Sequence, residues 1–232
     1  MEPARYPFPM QIDQIPLPFL SANCYLIQPE PCAPVLVIDP GHDGLRDVRE
    51  RLAGRAIGAV LLTHGHPDHV WDASELAGTV PTYIPQPDSY RLNYPLVGEH
   101  PMNIELKQML NTPWRRPDNI VELGDTAVSA GFEPVTGLTM RMIPAPGHTE
   151  GSALFFFDNN GIHALSGDVI FAGSVGRTDL PGGDDKQMLH TLRTLANTID
   201  PETVLLPGHG PQTTMAAELK TNPYLRRAQA IG

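Results

Sequence analysis

Residues 56–70 read "AIGAVLLTHGHPDHV": an unbroken apolar run, Ala56 to Leu62, followed by three histidines and an aspartate within six residues. A run without polar alternation is what a strand buried on both faces requires, as in a parallel sheet covered by helices. Side chains alternate along an extended segment, so His64 and His66 point the same way and both imidazoles can reach one ion beyond the strand end. Gly65 permits a close backbone approach there. Pro67 suits the first position of a helix, turning the chain so that Asp68 and His69 project differently and can serve a second ion. The same stretch also reads as a solvated histidine-rich loop that picks up metal by accident, and the motif alone leaves both readings open.

Context favours the first. His148 in "MIPAPGHTEGS", Asp168 in "ALSGDVIF" and His209 in "VLLPGHGP" each fall at the end of a predicted strand. Singly they are two turn histidines and a capping carboxylate. With the 64–69 cluster they make five histidines and two carboxylates. That number suits two ions with three ligands each and one shared carboxylate, leaving positions open for water.

At 232 residues the chain is long enough for a substantial core. We expect one domain, 1–232, with an irregular insertion or lid at about 86–117 that carries a short helix near Met102 to Leu110. The formal net charge of −10 argues against nucleic acid or an anionic membrane as partner. The N-terminus, "MEPARYPFPMQIDQIPLPFL", is broken by prolines and does not read as a secretory signal. No stretch approaches the roughly 20 apolar residues that span a bilayer. Cys24 and Cys32 make neither a disulfide framework nor a thiolate zinc site, so a reducing, cytoplasmic location is expected.

Strands are predicted around Met10 to Ile15, in "CYLIQ", "PVLVIDPG", "VPTYIP", "LTMRMIPAPG", "SALFFFD", "IHALSGDVIF" and "ETVLLPGHG". Helices are predicted in "DGLRDVRERLAG", "VWDASELAG" and "TMAAELKTN", and over about Asp185 to Ile199, where Met188, Leu189, Leu192, Leu195 and Ile199 share a face. Strands followed by helices in each half suit an α/β layered sandwich.

From "NCYLI" and "VIDPG" to "PGHGPQTT" the chain resembles the metallo-β-lactamase-fold hydrolases, whose signature is H-x-H-x-D-H followed by separate His, Asp and His. The resemblance implies an αβ/βα sandwich, two mixed β-sheets flanked by helices, with the site on one edge. It implies that His64, His66 and His148 bind a first metal, that Asp68, His69 and His209 bind a second, and that Asp168 bridges them. Two divalent ions are then expected, zinc first, with iron or manganese as alternatives. Antibiotic-hydrolysing members usually lack a bridging aspartate there, which speaks against a true β-lactamase. The segment after Asp168, "DVIFAGSVGRTDLPGG", is similar to the glyoxalase II-like branch, the hydroxyacylglutathione hydrolases and their compact relatives.

The expected activity is hydrolysis of a small-molecule thioester or related ester by a metal-bound hydroxide, with Asp68 orienting the nucleophile and its proton. Arg177 stands where glyoxalase II carries a basic residue that contacts its thiol cofactor; it would bind a substrate carboxylate, or else pair internally with Asp179. Asp39 would orient a ligand imidazole or cap the strand-to-helix turn. Two departures weaken a glutathione reading: only 23 residues follow His209, too few for the glutathione-binding helical domain, and Ser152 stands where many of those enzymes have histidine. Recognition would fall to the loop after Arg177 and to the 86–117 segment, whose Tyr90, Tyr94 and Trp114 either line an apolar mouth or form lid core.

The "GRTD" run is also similar to persulfide dioxygenases of the same fold, in which residues matching His64, His148 and Asp168 hold a single iron. Lactone hydrolysis is a third reading. A non-catalytic metal-binding module is a fourth, opposed by the presence of all seven ligands. Oligomeric state is not legible in the sequence.

Overall fold

The computed structural model describes residues 9–230. The first eight residues, on which the reading of the N-terminus partly rests, and the end of the expected 1–232 domain lie outside that range. The first sheet holds, in spatial order, β1 (Gln11–Pro16), β2 (Asn23–Gln28), β3 (Val35–Ile38), β4 (Ile57–Leu61), β5 (Thr82–Pro85) and β6 (Ile120–Leu123). Its first three strands are antiparallel neighbours, and β3 to β6 run parallel. The second sheet draws on β7 (Phe132–Val135), β8 (Leu138–Pro144), β9 (Ala153–Asp158), β10 (Ile162–Gly167), β13 (Val204–Pro207) and β14 (Thr213–Thr214). Their order is β14-β13-β10-β9-β8-β7, and a small hairpin, β11 (Ile170–Phe171) and β12 (Ser174–Val175), stands apart.

Two-residue periodicity divides these strands between two environments. Tyr25, Ile27, Leu36, Ile38, Ala59 and Leu61 face Leu138, Met140, Phe155, Leu165 and Leu206 in the core between the sheets. The alternate residues of the first sheet, among them Cys24, Leu26, Val37 and Val60, pack with side chains of α1 (Leu45–Leu52), α2 (Pro67–Val70) and α3 (Ala73–Ala77). On the far face of the second sheet, Leu154, Ala164 and Leu205 pack against α6 (Asp185–Thr198) and α8 (Pro223–Ala230). The remaining helices are α4 (Pro101–Met109), α5 (Asp125–Ser129) and α7 (Met215–Thr221). Two mixed sheets face to face, with helices outside each, make the αβ/βα sandwich expected from the sequence.

Several details differ from the sequence reading. "VWDASELAG" is not one helix: α2 ends at Val70 and α3 begins at Ala73. The break falls where the Asp72 backbone N–H turns to the Pro40 carbonyl (3.0 Å) and the Asp72 carboxylate accepts from Gly44 N–H (3.0 Å). The 86–117 segment contains a 3-10 helix over Gln86–Asn93 as well as α4. Strands β6 and β7 and helix α5 were not foreseen, because four or five residues carry too few apolar positions to display a period.

Candidate metal centre

Strand direction explains why distant residues meet. Strands β3 and β4 are parallel, so Asp39, which follows the first, and Thr63 to His66, which follow the second, emerge at the same end. In the other sheet β10 and β13 are parallel, and β9 is antiparallel to both β8 and β10. Strands β8, β10 and β13 therefore run the same way, and His148, Asp168 and His209 all follow their C-terminal ends. An antiparallel bridge between Ala22 and His209, with Asn23 N–H donating to the Gly208 carbonyl (2.7 Å), ties the two sheets at this edge.

The seven expected ligands are brought together. His64 Nε2 lies 3.1 Å and His148 Nε2 lies 2.8 Å from His66 Nδ1. His209 Nε2 lies 3.3 Å from Asp68 Oδ2, and His69 Nε2 lies 3.5 Å from the same oxygen. Asp168 sits between these groups, 3.4 Å from His148 Nε2, 3.3 Å from His69 Nε2 and 3.4 Å from His209 Nε2. As the sequence predicts, Pro67 opens α2, with His66 extended before it (φ −76°, ψ 150°).

The outer ring nitrogens fix the tautomers. His148 Nδ1 is 2.6 Å from the Arg177 carbonyl, which can only accept, so Nδ1 carries the proton and Nε2 a lone pair. Thr63 Oγ1 donates to Asp39 Oδ2 (2.6 Å) and therefore accepts from His64 Nδ1 (3.1 Å). His69 Nδ1 donates to the same Asp39 oxygen (3.0 Å). Asp39 also accepts from Thr63 N–H (2.7 Å), and its φ of 49° is a left-handed conformation uncommon outside glycine. Although an Asp39 oxygen lies close enough to His64 and His69 to form a third possible ligand group, three hydrogen bonds occupy its carboxylate. Its position suits orienting imidazoles better than binding an ion.

Electrostatics ask for positive charge here. Burial drives His64 and His66 well below the ordinary histidine range, so both stay neutral with lone pairs available. Burial opposes ionisation of Asp68 and Asp168, yet His69 and then His209 hold both carboxyls well below their usual range. Conversely, burial works against protonating His69 and His209, but the two carboxylates outweigh it, raising His69 strongly and His209 to about 9.

The arrangement fits divalent cations. Three ring nitrogens converge where at most one hydrogen bond can be made among them. His69 Nε2 and Asp168 Oδ1, 3.3 Å apart, are buried without a hydrogen bond. The donors fall into groups able to hold an ion, His64 with His66 and His148, and Asp68 with His69 and His209. A side chain at Gly208 would collide with Asp168 Oδ1 and crowd His69, so this cradle needs glycine.

Other predicted residues resolve differently. Arg177 makes a two-pronged ion pair with Asp179 (2.7 Å at both nitrogens), the internal alternative, while its side chain also lines the cavity over the site. Trp114 packs on Trp71 in the core beneath the segment, and Tyr90 and Tyr94 are exposed; none of the three lines that cavity. Val97, Met102, Leu106 and Met109 line it instead.

Asp88 was missed by the sequence reading. Fully buried, it accepts Gly65 N–H at Oδ2 and Gly151 N–H at Oδ1, both at 2.8 Å, and so pins the two loops that carry His64, His66 and His148. Buried Arg91 lies 3.4 Å from it, pairs with Glu150 (2.6 Å) and packs where a Cβ on Gly65 would come within 2.6 Å. Both fall in the irregular 86–117 segment, where the sequence assigns neither residue a role; the sole hint is their place soon after a strand.

Fold and gathered donors define the class: an αβ/βα sandwich with a candidate metal centre at one edge. The chain belongs to the metallo-beta-lactamase superfamily, whose family profile matches residues 17–209. That superfamily comprises metal-dependent hydrolases that bind divalent ions. A protein of Mycobacterium tuberculosis (strain ATCC 25618 / H37Rv), named only as uncharacterized, is 34% identical over 93% of this chain and 98% of its own. The hydroxyacylglutathione hydrolase GloC of Haemophilus influenzae is 29% identical, with 93% and 98% covered. Among solved structures, the BLEG-1 B3 metallo-beta-lactamase superposes with a TM-score of 0.73 at 27% identity, covering 93% of this chain and 99% of that one. TTHA1623, in a di-iron-bound form, gives 0.66 at 28%, covering 91% and 99%. These neighbours differ in activity, so likeness establishes the superfamily and leaves the substrate to the site. No helix among the described residues is long and apolar enough to cross a membrane.

Proposed function

We propose that the protein is a binuclear metal-dependent hydrolase that cleaves a thioester, or a related ester, of a small molecule. The observation that carries this reading is the convergence of two donor groups on Asp168. His64, His66 and His148 would hold one divalent cation, and Asp68, His69 and His209 a second, with Asp168 between them. Histidine and carboxylate donors suit zinc, and also iron or manganese; the di-iron form of TTHA1623 supports a two-ion site. When bound, such ions make a nucleophile of water at neutral pH and polarise a carbonyl oxygen.

The chain's own residues prepare that chemistry. Asp39, Thr63 and the Arg177 carbonyl hold His69, His64 and His148 in the tautomers that present lone pairs inward. Asp68 lines the cavity, and its carboxylate is placed to orient the attacking water and accept its proton. No serine or cysteine nucleophile is required: Cys24 is buried in β2, and Ser152 Oγ is engaged with Thr149. The likeness to GloC supports a thioester as substrate, the two free thiols are in keeping with a reducing cytoplasm, and the 86–117 segment would serve as lid over one domain.

Metal analysis of the purified protein, run beside thioester hydrolysis and persulfide-dependent oxygen uptake, tests this reading. Two ions per chain with release of thiol is the expected result. One iron per chain with oxygen uptake and no thiol release would overturn it in favour of the oxygenase.

A further inference from the structure

We infer that the substrate of this site presents an uncharged, apolar acyl arm to the wall built by α4, an inference that rests on the hydrolase reading above. The cavity has a volume of about 420 Å³, within the roughly 300–1,000 Å³ of small-molecule sites. One end is the metal centre: His66, Asp68, His148, Asp168 and His209. Away from those residues the lining is mainly aliphatic, with Val97, Met102, Leu106 and Met109 beside Leu20 and Leu180, and Asn103 and Glu105 as the polar members from α4. Phe171, edge-on to His209 at 5.6 Å, adds an aromatic face to the lining. Leu20 and Met109 remain 43% and 51% exposed, apolar surface that a ligand would cover. Methionines adapt their shape to flexible chains.

Charge excludes the alternative occupant. Outside the histidines of the metal centre, the cations among the described residues lining the cavity are Arg91 and Arg177, and each is paired, with Glu150 and with Asp179. The wall also carries Glu105, and the whole chain has a net charge of −10. Biological thiol carriers bear carboxylates or phosphates, and this wall offers them no unpaired cation. The arm in the cavity is therefore the acyl group, with the carrier toward solvent. In the reaction, water adds to the carbonyl carbon, the C–S bond breaks, and a carboxylic acid and a free thiol leave.

The test uses metal-loaded protein and a series of thioesters of N-acetylcysteamine, an uncharged carrier, from acetyl to decanoyl. We expect kcat/KM to rise by about fourfold per methylene until the cavity is filled, the factor that corresponds to burying one CH₂. Met109→Lys, at an exposed position that does not threaten folding, should lower the octanoyl-to-acetyl ratio of kcat/KM by about tenfold, the equivalent of one to two buried methylenes. Equal kcat/KM along the series, or faster turnover of the same acyl group on glutathione, would overturn the inference while leaving the hydrolase reading intact. Calorimetric binding of 1-octanol supplies a readout independent of turnover. Octanol binding weakened by Met109→Lys, with no thioester hydrolysed, would instead sink the hydrolase reading and keep the apolar arm.

Discussion

His64, His66, Asp68 and His69 arrive on one loop and one short helix, whereas His148, Asp168 and His209 arrive on three turns spread over sixty-two residues of chain. The first group looks self-sufficient, yet its imidazoles are held from outside: Asp39 fixes His69 and, through Thr63, His64, while Asp88 pins Gly65. The second group needs three strands to run in one direction before it exists at all, yet His148 finds its orienting acceptor in the backbone, at the Arg177 carbonyl. Compactness in sequence is thus not independence in structure. A dense motif supplies donors cheaply, but a tautomer is set by a partner elsewhere.

The comparison breaks most visibly at Asp168, whose carboxylate lies within 3.4 Å of His69 in the first group and of His148 and His209 in the second. Asp168→Ala should lower kcat/KM by about 10²–10³-fold or more, the scale of losing one preorganised electrostatic group, and should reduce metal content. Turnover retained with normal metal content would remove Asp168 from the centre. Next in size is Asp39→Asn, which halves the carboxylate that serves both Thr63 and His69. Metal affinity measured against a competing chelator should fall by about 10–100-fold, as for other groups that orient ligands. Unchanged affinity would mean that the 64–69 cluster is as autonomous as its sequence suggests.

What was legible in the sequence follows the same division. The apolar run before His64 disclosed the sheet, and the repeated strand–turn pattern at His148, Asp168 and His209 marked the other residues that meet at its edge, because strand ends are marked by Pro and Gly. Asp39 was legible as one of two alternatives, and the structure favours orientation of an imidazole. Asp88 and Arg91 were illegible, since burial is a property of the tertiary fold and neither residue type advertises it. Of the two alternatives for the aromatics, Trp114 takes the core one, while exposed Tyr90 and Tyr94 take neither. Aromatic character predicts burial of surface, but Tyr90 sits on the 3-10 turn over Gln86–Asn93 and Tyr94 just after it, a stretch with no clear period to show which way a ring faces.

Asp88→Asn probes the join between the two groups. An asparagine can accept from Gly65 N–H or from Gly151 N–H, but its NH₂ must face the other donor, and buried Arg91 keeps the Pro181 carbonyl and, as its one carboxylate, Glu150. Breaking a buried pair costs about 3–5 kcal/mol, and because Arg91 retains Glu150 the loss here should be near about 3 kcal/mol in chemical denaturation. Metal affinity should fall by about tenfold as the loops bearing His66 and His148 part. Full stability with weakened metal binding, or the converse, would show that the staple serves only one of these roles.

Asp72 provides the smallest and most local test, at the break between α2 and α3. Burial pushes its carboxyl up to about 6, against the backbone N–H groups of Gly44 and Leu45 that favour the charged form. An unfolded aspartate titrates near 3.9. Between those values the folded state binds more protons than the unfolded one, so this group makes stability fall as pH rises from about 4 to about 6 and adds no further change above that. Integrated from pH 4.5 to 7, the fall attributable to Asp72 is about 2 kcal/mol. Asp72→Asn keeps an oxygen for Gly44 N–H and has no charge to bury, so the variant should gain on the wild type by about that amount over this interval. Urea midpoints at the two pH values measure it. A gap that does not change with pH would mean that Asp72 ionises freely, and that its place in the helix break is held by the Asp72 N–H to Pro40 bond rather than by its carboxylate.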